Sequence, residues 1–361
     1  MTVGEPAPFF RAPGTTNPNY AFDSAAGRYL LLAILSGLDD DAIRAALAEA
    51  QRHRAKFDDS KICYFALLPD TPEWRGAVQD DLPGVRHLFD DGSVRRLYIE
   101  DDREQWVLVD PSMRILAHAQ GQGRGRLLAD LDRLPAPGLH AGVATPAPVL
   151  VVPRVFEPEF CKVLIDHYQA QGGEESGFMR EIDGQTRLVK DYTHKRRSDV
   201  IIEDGPLQKQ AVARLNRRLS PQLEKAFCYT PTRIERYLVA CYDAGVGGYF
   251  RPHRDNTTKG TAHRRFAVSI NLNADFEGGD LRFPEYGPQT YRPPPGGAVV
   301  FNCSLLHEAT PVTRGLRFAF LPFLYDEAAA KVREENQQFI QNDLRMPGFR
   351  DEDQKAQEPV I

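Results

Sequence analysis

Residues 236–256 read RYLVACYDAGVGGYFRPHRDN, and this stretch decides the fold of the C-terminal half. Two runs rich in apolar and aromatic residues flank a glycine-rich turn, which predicts two strands joined by a short connection. His253 and Asp255 stand two positions apart near the end of the stretch. Because side chains at positions i and i+2 of a strand point to the same face, both can reach one metal ion.

Further short strands follow this stretch. Apolar runs alternate with glycine- and proline-rich turns, and they lie at 266–273, 279–284, 289–293, 298–302, 309–312 and 316–325. Many short strands at this spacing predict a sandwich or jelly roll. Helical patterns at about 157–171 and 207–227 precede the strands, and another from 326 to about 344 follows them. We therefore predict an α+β domain over 150–344 and a polar tail over 345–361.

The N-terminal half has a different pattern. The apolar runs RYLLLAIL (28–35) and KICYFALL (61–68) are separated by a helical pattern from about 40 to 56. Continuous apolar strands that alternate with helices indicate an α/β sheet covered on both faces. Residues 135–149 are rich in proline, glycine and alanine and lack periodicity, which predicts a linker. The N-terminal domain is therefore predicted to span 1–134.

A third metal ligand is expected from another strand, and His307 follows the predicted strand at 298–302. Two histidines and one carboxylate form the facial triad of non-haem Fe(II) sites, whereas structural zinc is held by four ligands. The H-x-D pattern alone is weak, because a histidine in a strand more often has a structural role. His263 is the competing ligand, although its neighbours Arg264 and Arg265 favour a loop residue.

Arg317 lies ten positions after His307, and we predict that it opens an apolar strand. An unpaired cation is costly in such surroundings, so Arg317 needs an anionic partner. Its planar guanidinium matches a carboxylate, and a dicarboxylate that binds the metal at one end can be held by Arg317 at the other. Arg314 is the alternative, but it lies in a predicted turn, where charges are usually solvated.

Four stretches together resemble the double-stranded β-helix core of the prolyl 4-hydroxylase-type 2-oxoglutarate/Fe(II) oxygenases: 236–256, 269–273 (SINLN), 278–287 (GGDLRFPEYG) and 293–320. The H-x-D pair, the distal histidine and a basic residue ten positions beyond it are jointly specific. The resemblance implies a jelly-roll fold that uses Fe(II), 2-oxoglutarate and O₂, with ascorbate as an accessory reductant. The iron ligands that it implies are His253, Asp255 and His307.

The same resemblance implies roles for three residues around the co-substrate. Arg317 pairs with the distal carboxylate of 2-oxoglutarate, Tyr242 donates a hydrogen bond to the co-substrate, and Asn271 faces it. For Tyr242 the alternative is a half-buried strand aromatic, and for Asn271 it is a hydrogen bond to the backbone.

The implied reaction is hydroxylation of an unactivated carbon, with release of succinate and CO₂. The substrate stays open between a prolyl or other residue of a peptide, a free amino acid and another small molecule, with a peptidyl substrate favoured by the resemblance. The alternatives are a non-catalytic metal-binding or sensing protein and a thiol-dependent peroxidase. The polar segment 172–199 has no core periodicity, and we interpret it either as a mobile lid over the substrate or as a surface insertion.

The N-terminal stretches VGEPAPFF (3–10) and QWVLVDPSMRIL (105–116) resemble peroxiredoxin and thioredoxin-like proteins. Peroxidases of that type need a low-pKa thiolate at a helix N-terminus, but the segment SGLDDDAIRA (36–45) contains no cysteine. Cys63 lies within an apolar strand and is predicted to be packed. The resemblance therefore implies a degenerate thioredoxin-like domain, used for stability, substrate presentation or a homodimer.

Composition excludes several other classes. The chain carries 45 basic and 50 acidic side chains, with a net charge of -5, so nucleic-acid binding is not expected. The densest basic run, Lys195 to Arg197, is predicted to be a solvated loop. Five cysteines without a C-x-x-C pair, four of them inside apolar stretches, predict reduced, mostly buried thiols and a cytoplasmic protein. No apolar window approaches the ~18 residues that a membrane span requires.

Overall fold

The chain is described here by a computed structural model. The described residues are 1–99, 101 and 103–340. Contacts divide them into two compact units: the first contains Met1–Ala147 and Phe283–Gln289, and the second contains Pro148–Arg282 and the residues from Thr290 onward. The main segment of the first unit therefore ends within the predicted linker, at Ala147. The exact domain bounds given above remain predictions. The predicted tail, 345–361, lies outside the described residues.

The first unit contains seven strands and four α-helices among its described residues. The strands are β1 (Arg11–Ala12), β2 (Tyr20–Ala21), β3 (Tyr29–Ile34), β4 (Ile62–Pro69), β5 (Val85–Asp90), β6 (Gln105–Val109) and β7 (Ile115–Ala119). The helices are α1 (Asp40–Arg52), α2 (Pro72–Ala77), α3 (Arg95–Tyr98) and α4 (Gly123–Asp130). Short 3₁₀ turns lie at Phe22–Ala25, Arg54–Lys56, Leu131–Arg133, Pro137–Leu139 and Pro284–Tyr286.

A mixed five-stranded sheet forms the centre of the first unit, in the order β5-β4-β3-β6-β7. Strand β3 is parallel to β4 and β4 to β5, whereas β6 runs antiparallel to β3 and β7 antiparallel to β6. All six residues of β3 are buried, as expected for a strand covered on both faces. Helix α1 begins where the Asp39 carboxylate caps the Ala42 amide, and it buries Ile43, Ala46 and Ala50 along one stripe. The α/β prediction for this half therefore agrees with the structure.

The second unit is rich in short strands. They are β8 (Leu150–Val152), β9 (Glu174–Glu175), β10 (Phe178–Ile182), β11 (Gln185–Val189), β12 (Lys195–Arg196), β13 (Ser198–Ile201), β14 (Arg233–Glu235), β15 (Leu238–Asp243), β16 (Tyr249–His253), β17 (Phe266–Asn271), β18 (Phe276–Gly278), β19 (Leu281–Arg282), β20 (Thr290–Tyr291), β21 (Ala298–Asn302), β22 (His307–Ala309), β23 (Val312–Phe320) and β24 (Phe323–Tyr325). The helices are α5 (Pro158–Gln171), α6 (Pro206–Arg214), α7 (Ser220–Phe227) and α8 (Glu327–Asn336). A π-helical turn at Leu215–Leu219 joins α6 to α7, and 3₁₀ turns lie at Ala244–Val246, Lys259–Thr261 and Gln337–Phe339.

Two sheets organise the second unit. The larger has the path β14-β24-β17-β23-β15-β13-β9, to which β21, β8 and β18 add further pairings. The smaller has the order β12-β16-β22-β19-β20. Helices α5, α6 and α7 contribute buried residues to the same apolar cluster as the larger sheet. This sheet-rich core is consistent with the predicted jelly roll.

The segment 172–199, interpreted as a mobile lid or a surface insertion, contains regular secondary structure that the sequence analysis did not predict. Strands β10 and β11 pair from Phe178 opposite Val189 to Ile182 opposite Gln185, so the segment contains a regular β-hairpin. Its turn is Asp183-Gly184, and both residues have positive φ, of 53° and 74°. Asp-Gly is among the most favoured sequences for a two-residue hairpin turn of this kind. The sequence therefore carried the signal for a hairpin.

Two smaller predictions are also corrected. The basic run at 195–197 is not a solvated loop, because Lys195 and Arg197 are buried while Arg196 is exposed. Lys195 and Arg196 form β12 and Arg197 directly precedes β13, and alternate side chains of an extended chain point to opposite faces. Arg317 does not open its strand but lies inside β23, which begins at Val312. Among the described residues no helix is both long and apolar enough to cross a membrane.

Candidate metal centre

Strand register places the three predicted metal ligands together. His253 ends β16 and His307 begins β22, and the two residues are direct partners in the antiparallel pair. Asp255 follows β16, and its amide donates to the Cys303 carbonyl at 2.9 Å. His253 Nε2 lies 3.5 Å from Asp255 Oδ1, and His307 Nε2 lies 3.3 Å from Asp255 Oδ2. The ligand atoms of all three residues lie within 4.8 Å of one another.

Both histidine rings are held by their other nitrogen. His253 Nδ1 donates to the Arg251 carbonyl at 2.7 Å, and His307 Nδ1 donates to the Leu305 carbonyl at 3.0 Å. A carbonyl only accepts, so each Nδ1 carries the proton and each Nε2 presents a lone pair beside the carboxylate. Metal–nitrogen bonds of ~2.0–2.1 Å at right angles place two donor atoms roughly 3 Å apart, close to the separations found here. The donor set therefore fits one octahedral metal ion with open positions.

Burial and mutual contact set the charge states of the three residues. Burial, and then the neighbouring His307, lowers the pKa of His253 to about 4. Burial alone would raise the pKa of Asp255, but it falls below its ordinary value because His307 and His253 lie beside the carboxylate. At neutral pH the site thus combines a neutral His253 with an anionic Asp255. These are the protonation states that metal coordination requires.

Arg317 is buried in the larger sheet, and side chains hold one edge of its guanidinium. Its Nε donates to Asn271 Oδ1 at 3.1 Å, and its Nη2 donates to Ser269 Oγ at 2.9 Å. The remaining nitrogen, Nη1, is shielded from solvent and has no hydrogen-bond partner. A buried N–H without a partner is costly, so this end of the guanidinium fits an anionic group that completes its hydrogen bonds.

Tyr242 and Asn271 lie beside Arg317 in different ways. Tyr242 is the cross-strand partner of Arg317, and the Arg317 guanidinium carbon lies 5.2 Å from the centre of the Tyr242 ring. Asn271 is buried, and its Nδ2 donates to the Pro293 carbonyl at 2.9 Å while its Oδ1 accepts from Arg317. Asn271 therefore makes the backbone hydrogen bond considered as its alternative role, and it also positions Arg317.

One pocket joins the metal ligands to these groups. It has a cavity volume of about 50 Å³. Its lining includes the three ligands together with Tyr242 and Arg317. The sequence analysis did not identify the other polar lining residues, which are Arg197, Arg236 and Ser269. Ser269 had a detectable signal, because it stands two positions before Asn271 on the same strand face.

The other sequence candidates lie outside this ligand group. His263 is fully buried and donates through Nε2 to Glu235 Oε2 at 2.8 Å. Arg314 lies on the surface, where it pairs with Glu277 at 2.8 Å. In the first unit Cys63 is buried, and burial together with a hydrogen bond to Asp59 raises the pKa of its thiol to about 11. A thiol with a raised pKa lacks the thiolate character that a peroxidase needs.

The chain is similar to known proteins over part of its length. The family model described as the 2OG-Fe(II) oxygenase superfamily matches residues 237–325. A PKHD-type hydroxylase from Synechococcus sp. is 28% identical over 140 residues, which cover 37% of this chain and 59% of that protein. One from Polaromonas sp. is 27% identical over 226 residues, which cover 59% of this chain and 92% of that protein. The crystal structure of a Pseudomonas putida prolyl-4-hydroxylase covers 50% of this chain and 94% of its own, at 17% identity and a TM-score of 0.39.

Proposed function

We propose that this chain, which is similar to the prolyl 4-hydroxylase-type 2-oxoglutarate/Fe(II) oxygenases, hydroxylates an unactivated carbon of its substrate. One observation carries the proposal. A single pocket contains two imidazoles and a carboxylate whose ligand atoms lie within 4.8 Å of one another, together with a buried guanidinium that has an unpartnered Nη1. The first group suits Fe(II), and the second suits the distal carboxylate of 2-oxoglutarate.

The reaction consumes O₂, 2-oxoglutarate and a substrate C–H bond. One oxygen atom enters the new hydroxyl group, and the other enters the succinate that forms as CO₂ leaves. Bound iron supplies the activation of O₂, which protein side chains cannot provide. His253, Asp255 and His307 would hold the metal, while Arg317, oriented by Ser269 and Asn271, would hold the co-substrate. Tyr242 packs beside Arg317 and restricts its movement.

The decisive experiment is an anaerobic titration of the iron-free protein with Fe(II) and 2-oxoglutarate. We expect a weak visible charge-transfer band that requires both additions. Exposure to O₂ should then release succinate, and ascorbate should sustain the release if it acts as the accessory reductant. A wild-type protein that gives neither the band nor succinate would contradict the proposed function.

Arg317→Ala is expected to weaken the binding of 2-oxoglutarate. Losing a charged hydrogen-bond pair in a buried site costs ~2 kcal/mol, which corresponds to roughly a 30-fold rise in the dissociation constant. The measurement is the concentration of 2-oxoglutarate that half-saturates the band at fixed Fe(II). Arg314→Ala is the matched control, since Arg314 pairs with Glu277 on the surface. If Arg314→Ala weakened 2-oxoglutarate binding and Arg317→Ala did not, the assignment would be reversed.

The hairpin formed by β10 and β11 is proposed to cover the bound substrate. Phe178, at its base, lies 6.1 Å from the ring of Phe250, which in turn stacks on His253 with 3.5 Å between ring centres. A cover at this position would exclude water from the metal during oxidation. Deleting 181–186, which removes the turn and the two cross-strand pairs next to it, is expected to weaken substrate affinity and lower turnover. Unchanged turnover and affinity would show that the hairpin is a surface insertion.

The substrate and the first unit complete the proposal. A peptide containing proline or another hydroxylatable residue is the favoured substrate class. The first unit is proposed to be a thioredoxin-like domain without thiol chemistry, which its mixed sheet and the raised pKa of Cys63 support. Peroxide consumption by the iron-free protein would contradict the second part of this proposal. A homodimer through this unit would appear as twice the chain mass of 40.6 kDa in light scattering.

A further inference from the structure

Three arginines line the pocket that contains the metal ligands: Arg197, Arg236 and Arg317. A buried cation is stable only when an anion or strong acceptors compensate it. The partners of these arginines therefore indicate whether the pocket still needs a bound anion to compensate one of them.

Two of the three have an assigned partner. Arg197 Nη2 donates to Asp199 Oδ2 at 2.6 Å, so this guanidinium is neutralised within the protein. Arg317 would pair with the distal carboxylate of 2-oxoglutarate under the proposed function. Nearby Arg264 is also neutralised, because it donates to both carboxylate oxygens of Glu235.

Arg236 differs from the others. It is half-buried, whereas Arg197 and Arg317 are buried, and among the described residues it forms no ion pair with a carboxylate within 4.0 Å. Its Nε, like that of Arg197, is shielded from solvent without a hydrogen-bond partner. Its guanidinium carbon lies 4.3 Å from the centre of the Phe323 ring, so an apolar surface holds the side chain in place. Burial and the neighbouring guanidinium of Arg264 lower its pKa to about 10, which leaves it charged at neutral pH.

The formal charges in the pocket can also be counted for the protein with Fe(II) and 2-oxoglutarate bound. The double charge of Fe(II) and the single charge of Arg317 are balanced by Asp255 and the two carboxylates of 2-oxoglutarate. Arg197 and Asp199 balance each other. Arg236 then remains as one uncompensated cation in a pocket whose other lining includes Phe250, Leu281 and Phe323.

We propose that Arg236 binds a carboxylate of the substrate, so that the substrate is an acid whose oxidised carbon lies on an apolar part of the molecule. This inference rests on the proposed function, because it assigns Arg317 to 2-oxoglutarate. A planar guanidinium matches both carboxylate and phosphate groups, but the excess of one positive charge favours a monoanion over a phosphate, which carries between one and two charges.

Two sources could supply this carboxylate. One is an aspartate or glutamate side chain in a peptide, and the other is the free carboxylate of a small amino acid. Matched acid and amide pairs separate these sources, since each pair differs only in the charged group. The first pair is N-acetyl-glutamate α-amide and N-acetyl-glutamine α-amide. The second pair is proline and prolinamide.

The test measures binding of all four probes to the anaerobic wild-type protein loaded with Fe(II) and 2-oxoglutarate. Calorimetry gives the affinities, and a change of the charge-transfer band reports binding near the metal. We expect the acid of at least one pair to bind about 10-fold or more tightly than its amide, as a charge-assisted hydrogen bond predicts. The pair that shows the preference identifies the source. Equal affinity within both pairs, or no binding by either acid, would overturn the inference.

Variants of Arg236 distinguish binding of a substrate carboxylate from packing on Phe323. Arg236→Gln should remove the preference for the acid, whereas Arg236→Lys, which keeps the charge, should retain part of it. Arg314→Gln is the control for the same change in net charge, because Arg314 lies in an exposed ion pair. If Arg236 only packs on Phe323, both Arg236 variants will leave the ratio of acid to amide affinity as in the wild type, and the inference fails.

Failure of the proposed function has a different signature. In that case the wild type gives no band with Fe(II) and 2-oxoglutarate, whatever the calorimetric preference among the probes. If Arg236→Gln weakens 2-oxoglutarate itself and leaves the probe ratio unchanged, Arg236 belongs to the co-substrate site, and the substrate assignment is overturned. A normal band with no acid preference removes this inference alone.

Discussion

Replacing His307 by alanine is expected to abolish succinate release and the Fe(II)-dependent visible band. His307 supplies one of only two imidazole donors, and its Nε2 lies 3.3 Å from Asp255 Oδ2. Altering a group that merely orients a metal ligand costs ~10–100-fold in affinity, so removing a ligand itself should cost more. Asp255→Asn should have a similar effect, because it removes the only negative charge of the ligand set while keeping the shape of the side chain.

The measurement is Fe(II) affinity by anaerobic titration, together with succinate release under O₂. His118→Ala is a matched control, because His118 is exposed on β7 of the first unit and is not a member of the ligand set. Circular dichroism should show that His307→Ala remains folded, since its neighbours Phe301 and Leu306 retain their apolar contacts. Iron affinity that is equal in His307→Ala and the wild type would exclude the facial triad.

The three candidate metal ligands could be predicted from the sequence because two of them lie close together along the chain. His253 and Asp255 are separated by two positions, and the period of a strand then places them on one side. The placement of His307 was less certain, because a sequence does not show that β16 pairs with β22. The structure provides that pairing, with His253 opposite His307. The sequence shows directly that Arg317 lies ten positions after His307. The prediction that Arg317 opens a strand was wrong, because it lies inside β23.

The charges of the pocket were not accessible in the same way. Lys195 and Arg197 belong to a basic run that looks like a solvated surface, and only the pairing of β12 with β16 and of β13 with β15 buries them. Pairings between distant segments determine burial, and no local pattern reports them. Arg236 was passed over for a related reason. It stands next to a predicted strand, and the lack of an acidic partner is visible only when its spatial neighbours are known.

The hairpin at 178–189 was not predicted, for a different reason. Its strands FMREI and QTRLV contain charged residues, so they lack the apolar alternation that predicts a half-buried strand. The Asp183-Gly184 turn nevertheless predicts a hairpin on backbone grounds. Turn chemistry was the more reliable signal in this segment, because it depends on the backbone and not on burial.

Glu235→Gln is expected to lower the free energy of unfolding by about 3–5 kcal/mol, as found when one partner of a buried ion pair is removed. Glu235 is only 2% exposed, and its Oε2 accepts hydrogen bonds from both His263 Nε2 and Arg264 Nε at 2.8 Å. The glutamine keeps the shape of the side chain but leaves the buried Arg264 cation without an anion. Denaturant unfolding measures the loss directly, and Glu277→Gln in the exposed pair with Arg314 should cost at most ~1 kcal/mol.

The pH dependence of stability supplies an independent check on Glu235. The attraction of Arg264 and His263 outweighs burial and holds the pKa of Glu235 well below its ordinary 4.5. A depressed folded-state pKa means that the unfolded state binds more protons, so this contribution is complete above pH 4.5 and is lost as the pH falls through the folded-state pKa. The wild type should therefore lose stability on acidification below pH 4.5, and Glu235→Gln should lack this part of the loss. A variant with the stability and acid profile of the wild type would show that Arg264 is compensated elsewhere.

The same substitution should also reach the metal centre. Arg264 Nη1 donates to the Asp255 carbonyl at 3.3 Å, so the ion pair with Glu235 positions the chain segment that carries a candidate metal ligand. Losing the pair should weaken Fe(II) binding, but by less than the loss of His307, because the three donor groups are still present. If Glu235→Gln lowers stability and leaves Fe(II) affinity unchanged, the cluster supports the fold without orienting the ligand. If both fall together, the buried ion pair links the stability of the sheet to the geometry of the site.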